Sequence, residues 1–177
     1  MTTTHPLGEI VRDTNGRVAL RFERNLSHPP ERVWRALTES DQLRHWMPCD
    51  VVGPREEGAE LEVRFWDDVV AMHGIEESVL PGRILTWDPP RRLVWEWDDE
   101  ILTFVLEPRA GGTRLMFTVH IGSRAPGAEL VAAGYHVCLD QLVALVDTGE
   151  APPFLEADST PYVTLYAPIA ERLQPTG

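Results

Sequence analysis

Lysine is absent from this chain of 177 residues: all sixteen basic side chains are arginine. That absence excludes every mechanism built on an amine, including Schiff-base catalysis and a phosphate-loop lysine. Cysteine is scarce, with only Cys49 and Cys138. Two thiols so far apart in sequence make neither a disulfide framework nor a zinc site. No apolar run approaches the roughly eighteen residues that span a bilayer, and the start, MTTTHPLGEIVRD, carries no positive leader. The expectation is a cytoplasmic protein without a membrane partner. HExxH, CxxC, GxSxG and GxGxxG are all missing, and His120, His136 and Asp140 are too scattered to define a metal site. No metal, cofactor or catalytic residue is therefore assigned.

Acid is in excess. Twenty-eight acidic against sixteen basic side chains give a formal charge of -12, a field that repels phosphate backbones and anionic lipid. Nucleic acid is accordingly excluded as a partner. Hydrophobic residues make up 43% of the chain and six are tryptophan, a composition suited to one well-buried core.

Residues 1–16 are polar and read as a flexible N-terminal arm. From Arg17 to Leu26, Val18, Leu20 and Phe22 alternate with more polar positions, the period-two pattern of a half-buried strand. Ser27-His28-Pro29-Pro30-Glu31 then opens a short helix with Val33, Trp34 and Leu37 on its apolar stripe, and Ser40-Asp41 opens another carrying Leu43, Trp46 and Met47. Strands are predicted over 58–65, 69–80, 83–87, 93–97, 101–107 and 113–122. Pro81-Gly82, Asp88-Pro89-Pro90, Asp98-Asp99 and Ala110-Gly111-Gly112 read as the turns that separate the later ones. Short connections force antiparallel pairing and exclude a doubly wound parallel sheet.

Pro126 to Val146 is the longest helical segment, with Val131, Tyr135, Cys138, Leu139, Leu142, Val143 and Val146 at helical spacing. It is the element long enough to cover the apolar face of the sheet. A linker follows from Glu150, and Tyr162, Leu165, Tyr166, Ile169 and Leu173 mark a last amphipathic helix that contains Pro168. The predicted division is an arm (1–16), a domain (17–149) and a C-terminal extension (150–177) that packs on the domain.

The segments Asn25-Leu26-Ser27-His28-Pro29-Pro30-Glu31-Arg32-Val33-Trp34 and Leu43-Arg44-His45-Trp46 carry a family resemblance, as do Asp88-Pro89-Pro90-Arg91-Arg92-Leu93, Gly111-Gly112-Thr113-Arg114-Leu115 and Gly134-Tyr135-His136. They resemble the START-like, or SRPBCC, superfamily, in its bacterial branch related to the activator of the ninety-kilodalton heat-shock-protein ATPase (AHSA-like). The resemblance implies an α+β helix-grip fold: a curved antiparallel sheet of about six or seven strands around the long C-terminal helix, with a cavity between them. It carries no catalytic motif.

Within that fold Phe65, Trp95, Trp97, Phe104 and Phe117 fall on apolar strand phases and are candidate ligand-binding residues. Trp46 stands near the expected mouth, and Tyr135, His136 and Leu139 on the long helix complete the set. His73 and His120 are further polar candidates. Glu96 should face away from Trp95 and Trp97, and Asp98-Asp99-Glu100 reads as a solvated turn. Three functions are compatible with this set. The first is binding of a small apolar or amphipathic molecule. The second is a co-chaperone-like interaction module, for which a homodimer stays open. The third is a cyclase, dehydratase or hydrolase using a cavity histidine or tyrosine.

Overall fold

The computed structural model describes residues 5–151 and 157–173. Strand β1 (Glu9–Arg12) runs antiparallel to β2 (Val18–Leu26), with Ile10 opposite Leu20. Part of the supposed arm is thus an edge strand. Ile10 is buried, the Asp13 carboxylate accepts the backbone N–H groups of Asn15 and Arg17, and Gly16 at φ 79° turns the chain back. Asn-Gly at this turn supplies the left-handed conformation that a tight hairpin needs.

Helix α1 (Pro30–Thr38) starts on proline, whose fixed φ suits the first turn, and places Glu31 at the positive end of the dipole. Its buried stripe is Val33, Trp34, Ala36 and Leu37. The short α2 (Ser40–Leu43) leads through a turn to Trp46 and Met47, both buried. Next come β3 (Cys49–Val52), which the sequence reading missed, and β4 (Glu60–Phe65).

The predicted strand over 69–80 is corrected. Residues Asp67–His73 form helix α3, opened by two acids in its first turn and closed by Gly74 at φ 61°. Only Val69 of this helix is buried, so the β-branched pair Val69-Val70 misled the assignment. Strand β5 begins at Val79 and runs to Asp88, which puts Pro81-Gly82 inside a strand rather than at a turn. Gly82 lies opposite both Leu61 and Trp97, and a Cβ there would sit 2.7 Å from the Glu96 carbonyl oxygen. Close backbone approach, not turning, accounts for that glycine.

The hairpin series continues with β6 (Arg92–Trp97), β7 (Glu100–Arg109) and β8 (Gly112–His120). All pairings are antiparallel, and the strand order β1-β2-β8-β7-β6-β5-β4-β3 makes one eight-stranded curved sheet. A single 3-10 turn (Gly122–Arg124) leads into α4 (Ala128–Thr148), which ends at Gly149 in the left-handed conformation.

α4 lies across the inner face of the sheet, and α5 (Thr160–Glu171) packs on α4 and reaches β1. α4 is therefore apolar on more than one side: Leu139 and Leu142 are fully buried, while His136 faces Tyr166 of α5. Each such leucine contributes about 2 kcal/mol by leaving water. Among the described residues α4 alone is long and apolar enough to cross a membrane, yet 67% of its apolar window is buried inside the protein. The linker expected over 150–160 lies partly outside the described residues.

Candidate ligand cavity

The layers do not close everywhere. A cavity of about 390 Å³ opens between the first half of α4, the β3–β4 end of the sheet and α3. That volume lies in the range that takes small-molecule ligands. Phe65 and Trp97 come from strands β4 and β6. Leu130, Val131, Gly134, Val137 and Cys138 come from α4, and Met47, Met72 and Ile75 complete an apolar wall. Phe65 and Trp97 pack with ring centroids 5.5 Å apart. Gly134 contributes no side chain, and nothing within 4 Å would meet a Cβ there, so the helix surface is recessed where the cavity passes it.

One end of the cavity is polar. Glu100, only 2% exposed at the start of β7, collects three donors. Tyr135 Oη donates to Oε2 at 2.7 Å, Trp97 Nε1 to the same oxygen at 3.3 Å, and Arg124 Nη1 to Oε1 at 2.7 Å. All three donor residues line the cavity while Glu100 stands behind them. A buried carboxylate survives only when paired and hydrogen-bonded, and here both conditions are met. Burial, followed by the Glu100 charge and hydrogen bond, raises the Tyr135 hydroxyl well above its ordinary value. Tyr135 stays protonated and is a fixed donor, not a base. Burial also pushes the Cys138 thiol up to about 12, which leaves it protonated and unreactive.

Of the nine predicted binding residues, Phe65, Trp97 and Tyr135 lie on the cavity wall. Trp46, Trp95, Phe104, Phe117 and Leu139 are buried in the packed core off that wall. Phe104 and Phe117 stack with centroids 4.6 Å apart, and Trp46 meets the edge of Phe104 while its Nε1 donates to the Ala36 carbonyl. Tight aromatic packing leaves no free surface there. His73 is exposed and lines the cavity. His120 faces Asp13 near the β1–β2 turn, with Nε2 and Oδ2 3.3 Å apart.

His136 belongs to a different place. It is fully buried beneath α5, with Nδ1 2.8 Å from Tyr166 Oη and its ring stacked on Tyr162 at 4.0 Å. Nε2 lies 3.5 Å from Asp140 Oδ2. Asp140 also receives Arg24 Nη2 at 3.3 Å and Tyr162 Oη at 3.1 Å, and His5 Nδ1 lies 2.9 Å away. Arg24, 2% exposed, donates further to the carbonyls of Glu23 and Pro6. Tyr166 Oη accepts the Gly8 N–H at 2.7 Å. This cluster fastens the N-terminal segment, α4 and α5 together.

Burial works to raise the Asp140 carboxyl, but the neighbouring His136, with Arg24 and His5, holds it below the ordinary 3.8. Sequence reasoning missed Glu100 and Arg24. Both sit on the inward phase of their strands, Glu100 with Leu102 and Phe104, Arg24 with Phe22 and Leu26. No group of three or more His, Cys, Asp and Glu side chains among the described residues is placed to hold a metal.

Helix-grip architecture with a gap between helix and sheet defines the class, and comparison with known proteins supplies the family. Residues 27–147 match the model of the family described as Activator of Hsp90 ATPase homolog 1-like protein, and the chain belongs to that family. The fold is similar to that of the conserved protein of unknown function EF2215 from Enterococcus faecalis. That likeness has a TM-score of 0.74 at 22% identity over 94% of this chain and 92% of that one. It is also similar to CalU16 from Micromonospora echinospora (TM-score 0.68, 20% identity, 95% and 98% covered). The solution structure of the Aha1 dimer from Colwellia psychrerythraea matches with a TM-score of 0.60 at 19% identity, over 76% of this chain and 99% of that one. At these identities the likeness is one of fold. No curated protein sequence matches the chain.

Proposed function

We propose that this protein is a cytoplasmic binding protein that holds an apolar or amphipathic small molecule in the cavity beside α4. One observation carries the reading. Beside a core packed closely enough to stack Phe104 on Phe117, an apolar space of about 390 Å³ remains open, and polar groups line one end. Burial of the ligand's apolar part would supply most of the affinity, and the polar end would orient it. Phe65, Trp97 and Tyr135 are the predicted contacts retained from the sequence reading, joined by Val131, Cys138 and Arg124.

Native mass spectrometry of freshly purified protein tests this reading. The expected result is an added mass that organic solvent releases and that a cavity-filling Val131→Trp variant lacks. A bare chain that also takes up no apolar probe would overturn the reading.

A second reading, an interaction module of the co-chaperone type acting as a homodimer, draws on the family description and the dimeric Aha1 neighbour. It is favoured by one surface feature: Met72 and Leu130 at the cavity mouth are 57% and 59% exposed. Under that reading Met72→Glu abolishes dimerisation in sedimentation experiments and leaves uptake of a small probe intact. Acid–base catalysis ranks third, since the histidine lining the cavity is exposed and Tyr135 is held protonated.

A further inference from the structure

We propose that the molecule bound in this cavity carries a carboxylate, and that Arg124 receives it at the end where α4 begins. The inference rests on the binding reading above and specifies the headgroup. Among the described lining residues no acid faces the cavity, and Arg124 is the one arginine. In a chain with formal charge -12, a cavity wall whose one charged side chain is cationic stands out from the rest of the surface and favours an anionic headgroup.

Glu100 sets how that cation is presented. Its Oε1 accepts Arg124 Nη1, and its Oε2 is occupied by Tyr135 and Trp97. The carboxylate thereby anchors one corner of the guanidinium and has little capacity left for a ligand donor. Arg124 Nε and Nη2 have no hydrogen-bond partner among the described residues. Those two donors form one edge of the planar fork, the edge that meets a carboxylate with two parallel hydrogen bonds.

Leu130 and Val131, in the first turn of α4, line the same cavity, so the positive end of the helix dipole adds to the field of Arg124. Glu129 in that turn is not among the lining residues. An ammonium headgroup would find no anionic acceptor on the wall, and a neutral headgroup would bind through its chain alone. Two features limit the effect: Glu100 offsets part of the charge, and the Arg124 side chain is 52% exposed. The preference should therefore be moderate and sensitive to salt.

Calorimetric titration of the intact protein with decanoate, decanol and decylammonium tests the headgroup at constant chain length. Decanoate is expected to bind about tenfold tighter than decanol, with decylammonium weakest. Added salt should narrow the gap. Arg124→Gln should remove the preference for decanoate over decanol, and Arg124→Lys should keep part of it. Glu100→Gln should widen it, because the arginine charge is then unopposed.

Thermal melts establish that each variant is folded. Should Arg124→Gln not fold, the headgroup series and its salt dependence in the unaltered protein still decide the matter. Equal affinity for decanoate and decanol, or a preference that survives Arg124→Gln, would overturn the headgroup assignment and leave ligand binding standing. Failure of all three compounds to bind would instead remove the binding reading itself.

Discussion

Tyr135 and His136 are consecutive on α4 and are 8% and 0% exposed, yet they serve polar clusters of different kinds. Tyr135 turns to Glu100 at the end of an open cavity, while His136 turns to Asp140 and to Tyr166 of α5, the helix that buries it. The step of 100° per residue along a helix is enough to divide them. The Arg24–Asp140 cluster joins three segments distant in sequence, and the nitrogens it leaves without a hydrogen-bond partner among the described residues, Arg24 Nε and His136 Nε2, are buried away from the cavity. The Glu100 cluster joins β6, β7 and α4 and leaves the Arg124 fork partly unused. Burial of a polar group therefore does not by itself mark a functional site; what separates the two clusters is whether donors remain unspent beside open space.

Substitutions can break this contrast, and the largest effect is expected at the sealed cluster. Asp140→Ala leaves Arg24 buried without its counter-charge and should destabilise the fold by about 3 kcal/mol in urea unfolding. Ligand affinity per folded molecule should not change, and a loss under about 1 kcal/mol would show that the ion pair is not what holds β2 to α4.

Glu100→Ala comes next, at about 2 kcal/mol, since Tyr135 and Trp97 lose their acceptor. Unlike the first change it should also alter ligand affinity. Tyr166→Phe removes the hydroxyl shared by Gly8 and His136. It should cost about 1 kcal/mol and accelerate hydrogen exchange at the Gly8 amide while α4 stays protected.

Acid titration gives the smallest and most specific signals. The Asp140 carboxyl is held below 3.8 in the folded state, so its contribution is present above that value and is lost as pH falls through the lowered pKa. In Asp140→Ala that part of the acid dependence should vanish. His120 is lowered from 6.5, chiefly by burial, with Arg17 adding to it against the opposing charge of Asp13. Its neutral form favours folding, so a slight loss of stability on acidification below 6.5 should be absent from His120→Gln.

Much of the fold was legible because strong periodicities carried it: β2, β6, β7, β8 and α4 follow their alternation or helical stripe. Strand β1 was missed, although Asn15-Gly16 is a hairpin signal, because the polarity of residues 1–16 reads as an arm. Strand β3 has four residues, too few for a period, and α3 contains a β-branched pair that imitates a strand.

The cavity was only partly readable. Aromatic side chains on an inward phase share one signature whether they line a space or fill a core, and the sequence could not separate Trp97 from Phe104. Glu100 and Arg24 were readable in principle by extending the inward phase of Leu102 and Phe22, but a charge beside a turn reads first as solvated. Arg124 gave no local signal, because its partner lies 24 positions away.

The most direct test of the cavity as a binding site follows the indole N–H signals of the six tryptophans in isotope-labelled protein during a decanol titration. Trp97, whose Nε1 points to Glu100 at the cavity wall, should shift and saturate, while Trp46, bonded to Ala36 in the packed core, should not move. No saturable shift at Trp97, or equal shifts at both, would contradict the account.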